Sequence, residues 1–586
     1  MRSTLRIIVG AVIAAFLLVA VCVLYLKVRG GSYPTYAAAT FSNLSAPSNQ
    51  NDTAAANPIA HTEAGTLRGT HMGSATVFMG IPYGRPPVGD LRWAPPQPAP
   101  PWTGLRDATK PGHACIQDPA GLTPFLAPMA KAYGSIYSEP PVDLSEDCLY
   151  LNVWTPEWPS KGALPVMVWL HGGSNKAGSG SQPTYNGVSL SARGIVLVSI
   201  NYRLGVLGFF SHPELTAKSL HHSSGNYGLL DQIAALQWVQ KNIANFGGDP
   251  QNVTLFGESA GAIDAAMLMT SPLAGGFFRR VISESGPAFN PAQTLAQAEK
   301  LGKAVGDLAI GNPHATPLQR LRALPAAEVE KLLAQAVAQG AGDTSSFTVD
   351  GWVLTQSPRQ AFLTGSIQKV DLLIGLNGRE FSAFRLAAAA AAKSSRNQKS
   401  ASDSGSIKQF SDAARPYFAS WTGPVTTFYL GDMLVRRAAG LDQALNDVIG
   451  ACPIGAMAEL TNAAGQHVFV YRFDRSVPGR GEKELGAFHS IEIPYVFGTL
   501  RDPTWQWLPF TPDDAALSNL MQTYWTNFAK SGNPNAQGLP NWPAWGDNKR
   551  EFLVILKDGA ITAQRNFPPP FSSLSADDLR KNFMSR

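Results

Sequence analysis

The pentapeptide Gly257-Glu258-Ser259-Ala260-Gly261 constrains this chain more than any other stretch. It follows an apolar run, Val253-Thr254-Leu255-Phe256, with the character of a buried strand, and precedes 262–269, which reads as a helix. A serine between two glycines at a strand-to-helix corner is the nucleophile-elbow pattern. The turn leaves no room for side chains two residues either side of the serine. Ser259 then sits at a helix N-terminus, where free N–H groups favour a developing negative charge. With 55 glycines in 586 residues, the bare pattern arises by chance about 0.4 times. Its meaning therefore depends on the remainder of the chain.

The composition, 45% hydrophobic and 15% charged, suits a large folded core. The net charge of +5 includes Arg2, Arg6, Lys27 and Arg29, so residues 30–586 carry only 5 − 4 = +1. A near-neutral body offers no basic face for nucleic acid. None of the four cysteines, Cys22, Cys115, Cys148 and Cys452, forms a C-x-x-C pair, which speaks against a zinc site or a thioredoxin-like pair. Cys115 and Cys148 share one Pro-rich segment. Whether they form a disulfide or stay as two thiols depends on the compartment.

Residues 7–26 carry no charge and are long enough for one membrane span. A signal-anchor helix within 1–29 is the favoured reading over a long cleaved signal, although Ala37-Ala38-Ala39 keeps a cleavage site open. Cys22 falls inside the apolar run and reads as a membrane-face cysteine. Residues 30–58, rich in Ala, Ser, Thr, Asn and Gly, read as a flexible tether. The folded body is expected over 59–575. Within it, the proline-rich stretches 81–89 and 94–98 are expected to be extended or turning backbone.

Strands are expected at 166–170, 195–200, 253–256, 281–283, 370–374, 468–471 and 552–556. Several are apolar throughout, as strands covered on both faces should be. Helices lie between them, at 231–239 and most clearly after Thr511, where Pro512 opens a stripe of Leu517, Leu520, Met521, Tyr524, Trp525 and Phe528 that ends before Gly532. Alternating strands and helices predict an α/β protein with a doubly wound, mostly parallel sheet. Residues 295–339 read as a helical cap broken by a turn at Gly311-Asn312-Pro313. The low-complexity stretch 387–408 reads as a surface insertion or lid segment.

A serine nucleophile needs a base, and a histidine base needs a third group to hold its tautomer. His489, in a loop after Gly486-Ala487-Phe488, is the candidate base. In an α/β-hydrolase the acid lies between serine and histidine. Glu380, beyond the strand at 370–374, meets that order at the strand end where such sheets carry their chemistry. The strand at 166–170 runs into His171-Gly172-Gly173-Ser174, whose backbone N–H groups can turn toward a substrate carbonyl. His171 itself reads as structural.

Residues 246–261, ending in the serine pentapeptide, resemble the extended serine signature of the type-B carboxylesterase family, which includes cholinesterases and bacterial para-nitrobenzyl esterases. Glu146-Asp147-Cys148-Leu149-Tyr150-Leu151-Asn152-Val153 resembles its second signature, and 201–205 and 225–232 are similar to other family stretches. The resemblance runs from about His61 to about Pro570. It implies an α/β-hydrolase fold with helical cap insertions. It also implies Ser259 as nucleophile, His489 as general base and then acid, and Glu380 as the orienting acid. Gly173, Ser174 and Ala260 would donate the oxyanion-hole N–H groups, and Cys115–Cys148 would be a disulfide. The body is then expected outside the cytoplasm, periplasmic or secreted, and tethered by residues 7–26 if they are retained.

The sequence departs from the family pattern in two places. Ser174 stands where a third glycine is usual; it keeps a backbone donor but tolerates positive φ less well. The loop from Cys115 to Cys148 has no tryptophan to hold a quaternary ammonium, which argues against choline esters. The expected activity is hydrolysis of small to medium carboxylic esters through an acyl-enzyme, with no metal or organic cofactor. The competing readings are another triad acyl hydrolase (lipase, thioesterase or amidase) and a non-catalytic adhesion domain, which the presence of all three triad residues disfavours.

Overall fold

The computed structural model describes residues 57–139, 142–160, 162–289, 292–342, 347–394, 407–418, 422–546, 550–556, 558–565, 567 and 576–583. The expected membrane segment at 7–26, Cys22 and nearly all of the tether lie outside these residues. Among the described residues no helix is long and apolar enough to cross a membrane.

An 11-stranded sheet organises the fold. Its strands in chain order are β1 Thr70–Met72, β2 Ala75–Pro82, β3 Tyr150–Thr155, β4 Leu164–Leu170, β5 Val196–Ile200, β6 Gly248–Glu258, β7 Arg280–Glu284, β8 Asp371–Asn377, β9 Val468–Phe473, β10 Phe552–Ile555 and β11 Ile561–Gln564. Across the sheet they run β11-β10-β9-β8-β7-β6-β4-β5-β3-β2-β1. The block from β5 to β10 is parallel, and antiparallel strands extend both ends. This is the mostly parallel, doubly wound α/β-hydrolase arrangement that the sequence predicts. All seven strands expected from the sequence form.

Central strands such as β5 and β7 are buried along their whole length, because helices cover both faces of the sheet. The helices that matter for the site are α1 Tyr227–Asn242, α2 Ala260–Thr270, α3 Leu295–Leu308, α4 Pro317–Ala323, α5 Ala326–Ala338, α6 Glu380–Ser394 and α7 Pro512–Ser531. The trio α3, α4 and α5 forms the expected helical segment over 295–339. α7 is capped by Thr511 through a reciprocal box with Asp514 and stops at Gly532 in the left-handed region. Its Leu517, Met521, Tyr524, Trp525 and Phe528 are buried in the core.

The alanine run at 387–392 is the second half of α6, because alanine is the strongest helix former. It is largely exposed, in keeping with a surface segment, and residues 395–406 lie outside the described set. Cys115 and Cys148 form a disulfide with an S–S distance of 1.98 Å. Cys452 is a free, half-buried thiol.

Candidate active site

Parallel register brings the carboxyl ends of β4, β6, β7 and β8 side by side. Gly257 pairs with Leu170 on one side and Ser283 on the other, and Glu284 pairs with Gly375. The residues just beyond these ends are His171, Ser259, Ser285 and, after a short turn, Glu380. The chemistry-bearing side chains thus collect at one edge, as open α/β sheets dictate.

Ser259 has φ 53° and ψ −121° as the N-cap of α2. A non-glycine residue there is strained, and the packing on either side enforces it. A Cβ on Gly257 would lie 2.6 Å from the Gly261 carbonyl carbon and 2.7 Å from the Leu170 oxygen. A Cβ on Gly261 would fall on that same Leu170 oxygen. Both glycines are therefore required for the strand, turn and helix to pack this closely.

His489 is buried, and its Nδ1 lies 2.5 Å from Glu380 Oε2. A carboxylate only accepts, so Nδ1 carries the proton and Nε2 faces the other way. Glu380 Oε1 accepts from the Ser285 hydroxyl at 2.5 Å and from the Asn377 backbone N–H at 2.6 Å. The backbone N–H of Glu380 donates to Asn446 Oδ1 at 2.9 Å. Glu380 is thus held on three sides. Ser259, Glu380 and His489 all line one cavity of about 340 Å³, whose apolar wall includes Ile263, Phe347, Leu376, Phe381, Phe384 and Ile454. A larger cavity of about 740 Å³ lies alongside, and Asn175 borders both.

Around the histidine is a set of carboxylates that sequence reasoning missed. Glu258 Oε1 lies 3.2 Å from His489 Nε2 and accepts from the Ser490 hydroxyl at 2.6 Å. Glu492 is fully buried; it accepts from the Asn377 side-chain amide and lies 3.4 Å from the Ser285 hydroxyl. Glu284 accepts from the Trp525 indole at 2.8 Å. Burial pulls the His489 pKa down, but Glu258, Glu380 and Glu492 outweigh it and hold it at about 9. Burial, aided by Glu258, pushes Glu284 up to about 8. Burial likewise raises Glu492 well above the carboxylate range, with Glu258 and Glu380 adding to it. Glu258 occupies the second position of the serine pentapeptide, and Ser285 lies just past the end of an expected strand. Position alone was a usable signal for both.

The expected oxyanion donors lie on two elements. Gly173 (φ 105°), Ser174 (φ 59°) and Asn175 (φ 55°) form a left-handed run after β4. Ser174 thus occupies the backbone region that the sequence marks as unfavourable for serine. Ala260 opens α2 on the other side of Ser259. Among the described residues the N–H groups of Gly173, Ser174 and Ala260 donate to no protein acceptor. His171 is buried and stacked on Tyr202, and its Nδ1 lies 2.8 Å from the Gly172 carbonyl. Burial lowers its pKa to about 4, which fits the structural role expected of it.

The carboxylesterase family model matches residues 56–568. This chain belongs to the carboxylesterase family. A fumonisin B1 esterase of Sphingopyxis macrogoltabida is 34% identical over 510 residues, covering 85% of this chain and 86% of that protein. Mouse carboxylesterase 1D is 34% identical over 542 residues, 87% of this chain and 91% of that protein. Among solved structures, a thermophilic PNB esterase superposes with a TM-score of 0.72 at 33% identity, covering 89% of this chain and all of that one. The chain is accordingly an ester-hydrolysing enzyme on an α/β-hydrolase scaffold.

Proposed function

We propose that this carboxylesterase cleaves small to medium carboxylic esters with Ser259 as nucleophile, His489 as general base and Glu380 as the orienting acid. The observation that carries this reading is the His489–Glu380 hydrogen bond at 2.5 Å on the same cavity as the strained Ser259 elbow. His489 takes the hydroxyl proton at Nε2 as Ser259 attacks the ester carbonyl. The tetrahedral oxyanion lies against the N–H groups of Gly173, Ser174 and Ala260, each worth roughly 3–4 kcal/mol in comparable sites. His489 then protonates the departing alcohol. Water repeats the sequence on the acyl-enzyme, and the carboxylic acid leaves. The apolar wall suits acyl and alcohol groups of modest size, and the larger cavity beyond Asn175 gives room for longer ones. Ser259→Ala should abolish hydrolysis of p-nitrophenyl butyrate in a protein that still folds; retained turnover sinks the assignment. Matched thioesters and amides measure how far the activity extends beyond oxygen esters.

We further propose that the catalytic body works outside the cytoplasm, held at the membrane by residues 7–26 where they are retained. The Cys115–Cys148 disulfide supports an oxidising compartment. Thiol labelling of freshly extracted enzyme without reductant should leave both cysteines unlabelled. The intact mass of protein from the membrane fraction reads whether residues 1–29 remain attached.

A further inference from the structure

The two arms of the oxyanion hole assigned above sit on separate elements, the loop 173–175 and the start of α2. Among the described residues one side-chain bond joins them directly. Asn175 Nδ2 donates to Asp264 Oδ1 at 2.9 Å. Asp264 lies on α2 four residues after Ala260, one turn along the same face. It is the only charged residue in a helix that otherwise reads Ala, Gly, Ala, Ile, Ala, Ala, Met, Leu, Met, Thr. Its second oxygen accepts from Gln232 Nε2 of α1 at 2.5 Å. Asp264 is completely buried, and no cation pairs with it among the described residues. Burial raises its pKa to about 7, against the pull of its amide and hydroxyl neighbours.

The loop end of this bond is equally fixed. The Tyr202 hydroxyl donates to the His171 carbonyl at 2.6 Å and lies 3.2 Å from Asn175 Oδ1. The Gly205 backbone N–H donates to the Asn175 carbonyl at 2.7 Å. Ser174 and Asn175 both occupy the left-handed region, which asparagine tolerates but serine keeps only where the surroundings over-determine it. A carboxylate is costly to bury, and an apolar residue would pack in a helix as apolar as α2. A carboxylate offers what an apolar residue lacks, two acceptors aimed at two amide donors.

We propose that Asp264 is a positioning residue for catalysis: by holding the Asn175 side chain it fixes the loop arm of the oxyanion hole at a set distance from the α2 arm. This rests on the oxyanion assignment above. The loop's N–H groups then point where the oxyanion forms before substrate arrives, which is how such donors act without reorganisation.

The test uses Asp264→Ala, Asp264→Asn and Asn175→Ala, with Ser259→Ala as reference. Steady-state kinetics on p-nitrophenyl acetate is paired with inhibition by a trifluoromethyl ketone, which forms an oxyanion on the serine, and by the methyl ketone of the same shape. Asp264→Ala should lower kcat by about 10–100-fold, with KM within about threefold, because donors displaced by a fraction of an ångström lose transition-state contact. The trifluoromethyl ketone should weaken by a similar factor and the methyl ketone should not. Asp264→Asn should stay within about threefold of the parent kcat, since Gln232 Oε1, which has no partner among the described residues, can accept from the new amide once the Gln232 amide turns. If Asp264→Ala does not fold, Asn175→Ala reads the same loss from the loop side. Parental kcat in a folded Asp264→Ala or Asn175→Ala overturns the proposal, and so does equal weakening of both ketones. Neither result touches the nucleophile, whose assignment fails only if Ser259→Ala keeps turning over.

Discussion

Glu258 Oε1 stands 3.2 Å from His489 Nε2, the ring nitrogen opposite the one bonded to Glu380. The residue next to the proposed nucleophile in sequence therefore sets the charge beside the proposed base. Its own pKa is raised by burial, partly offset by the His489 ring and the Ser490 hydroxyl. With the imidazole pKa held at about 9, the neutral base becomes scarcer as the pH falls below that value. The pH profile of kcat/KM should therefore rise through neutral pH toward an alkaline plateau.

Glu258→Gln tests the cause of that rise. The substitution removes a negative charge that favours the protonated ring, so the neutral form persists to lower pH. The acid limb of the kcat/KM profile should move down by roughly one pH unit. A limb that stays in place or moves up would show that Glu258 does not control the base.

Ser285→Ala probes the support of the acid. The Ser285 hydroxyl donates to Glu380 Oε1 at 2.5 Å, leaving the Asn377 N–H as that oxygen's other donor. A hydrogen bond to a charged group contributes about 1.5–3 kcal/mol, so kcat should fall by about tenfold or more with KM nearly unchanged. Steady-state kinetics on a short p-nitrophenyl ester reads both constants, and an unaltered kcat would remove Ser285 from the catalytic network.

Gly261→Ala tests the close packing of the elbow. The added Cβ would meet the Leu170 carbonyl, which belongs to the rigid end of β4 and cannot swing away. Overpacking of this kind costs about 1–3 kcal/mol, and here it also displaces Ala260. Urea denaturation should show the lower midpoint, and activity should fall further than stability alone explains.

The parallel core was legible in the sequence because β4 to β10 are buried on both faces and read as short apolar runs. β2 and β3 were not recognised as strands. β2 carries Gly80 at φ 64° and shifts register against β3 between Phe78 and Ile81, which breaks its alternation. The His489–Glu380 pair was reachable from chain order and strand ends. Glu258, Ser285 and Glu492 converge on it only through the register of separate strands and a loop. Sequence position flags Glu258 and Ser285 as near the site, but no local pattern encodes the contacts they make with Glu380 and His489.

The stretches 201–205 and 225–232 marked the family resemblance, and their physical content is a buried ion pair. Arg203 donates through Nε and Nη2 to the two oxygens of Asp231 at 2.8 and 2.7 Å, and its backbone N–H adds a third bond at 3.0 Å. The pair joins the end of β5 to α1, and the guanidinium lies 5.3 Å over the Tyr227 ring. These side chains are 3% and 0% exposed, so water cannot replace a lost partner. Asp231→Ala should therefore destabilise the fold by about 3–5 kcal/mol by stranding the guanidinium. Replacing both residues together with apolar side chains of similar volume should recover most of that loss, because the desolvation of two charges is then avoided. Urea unfolding of the single and double variants measures both effects. A single variant within about 1 kcal/mol of the parent would show that this ion pair does not hold the end of β5 to α1.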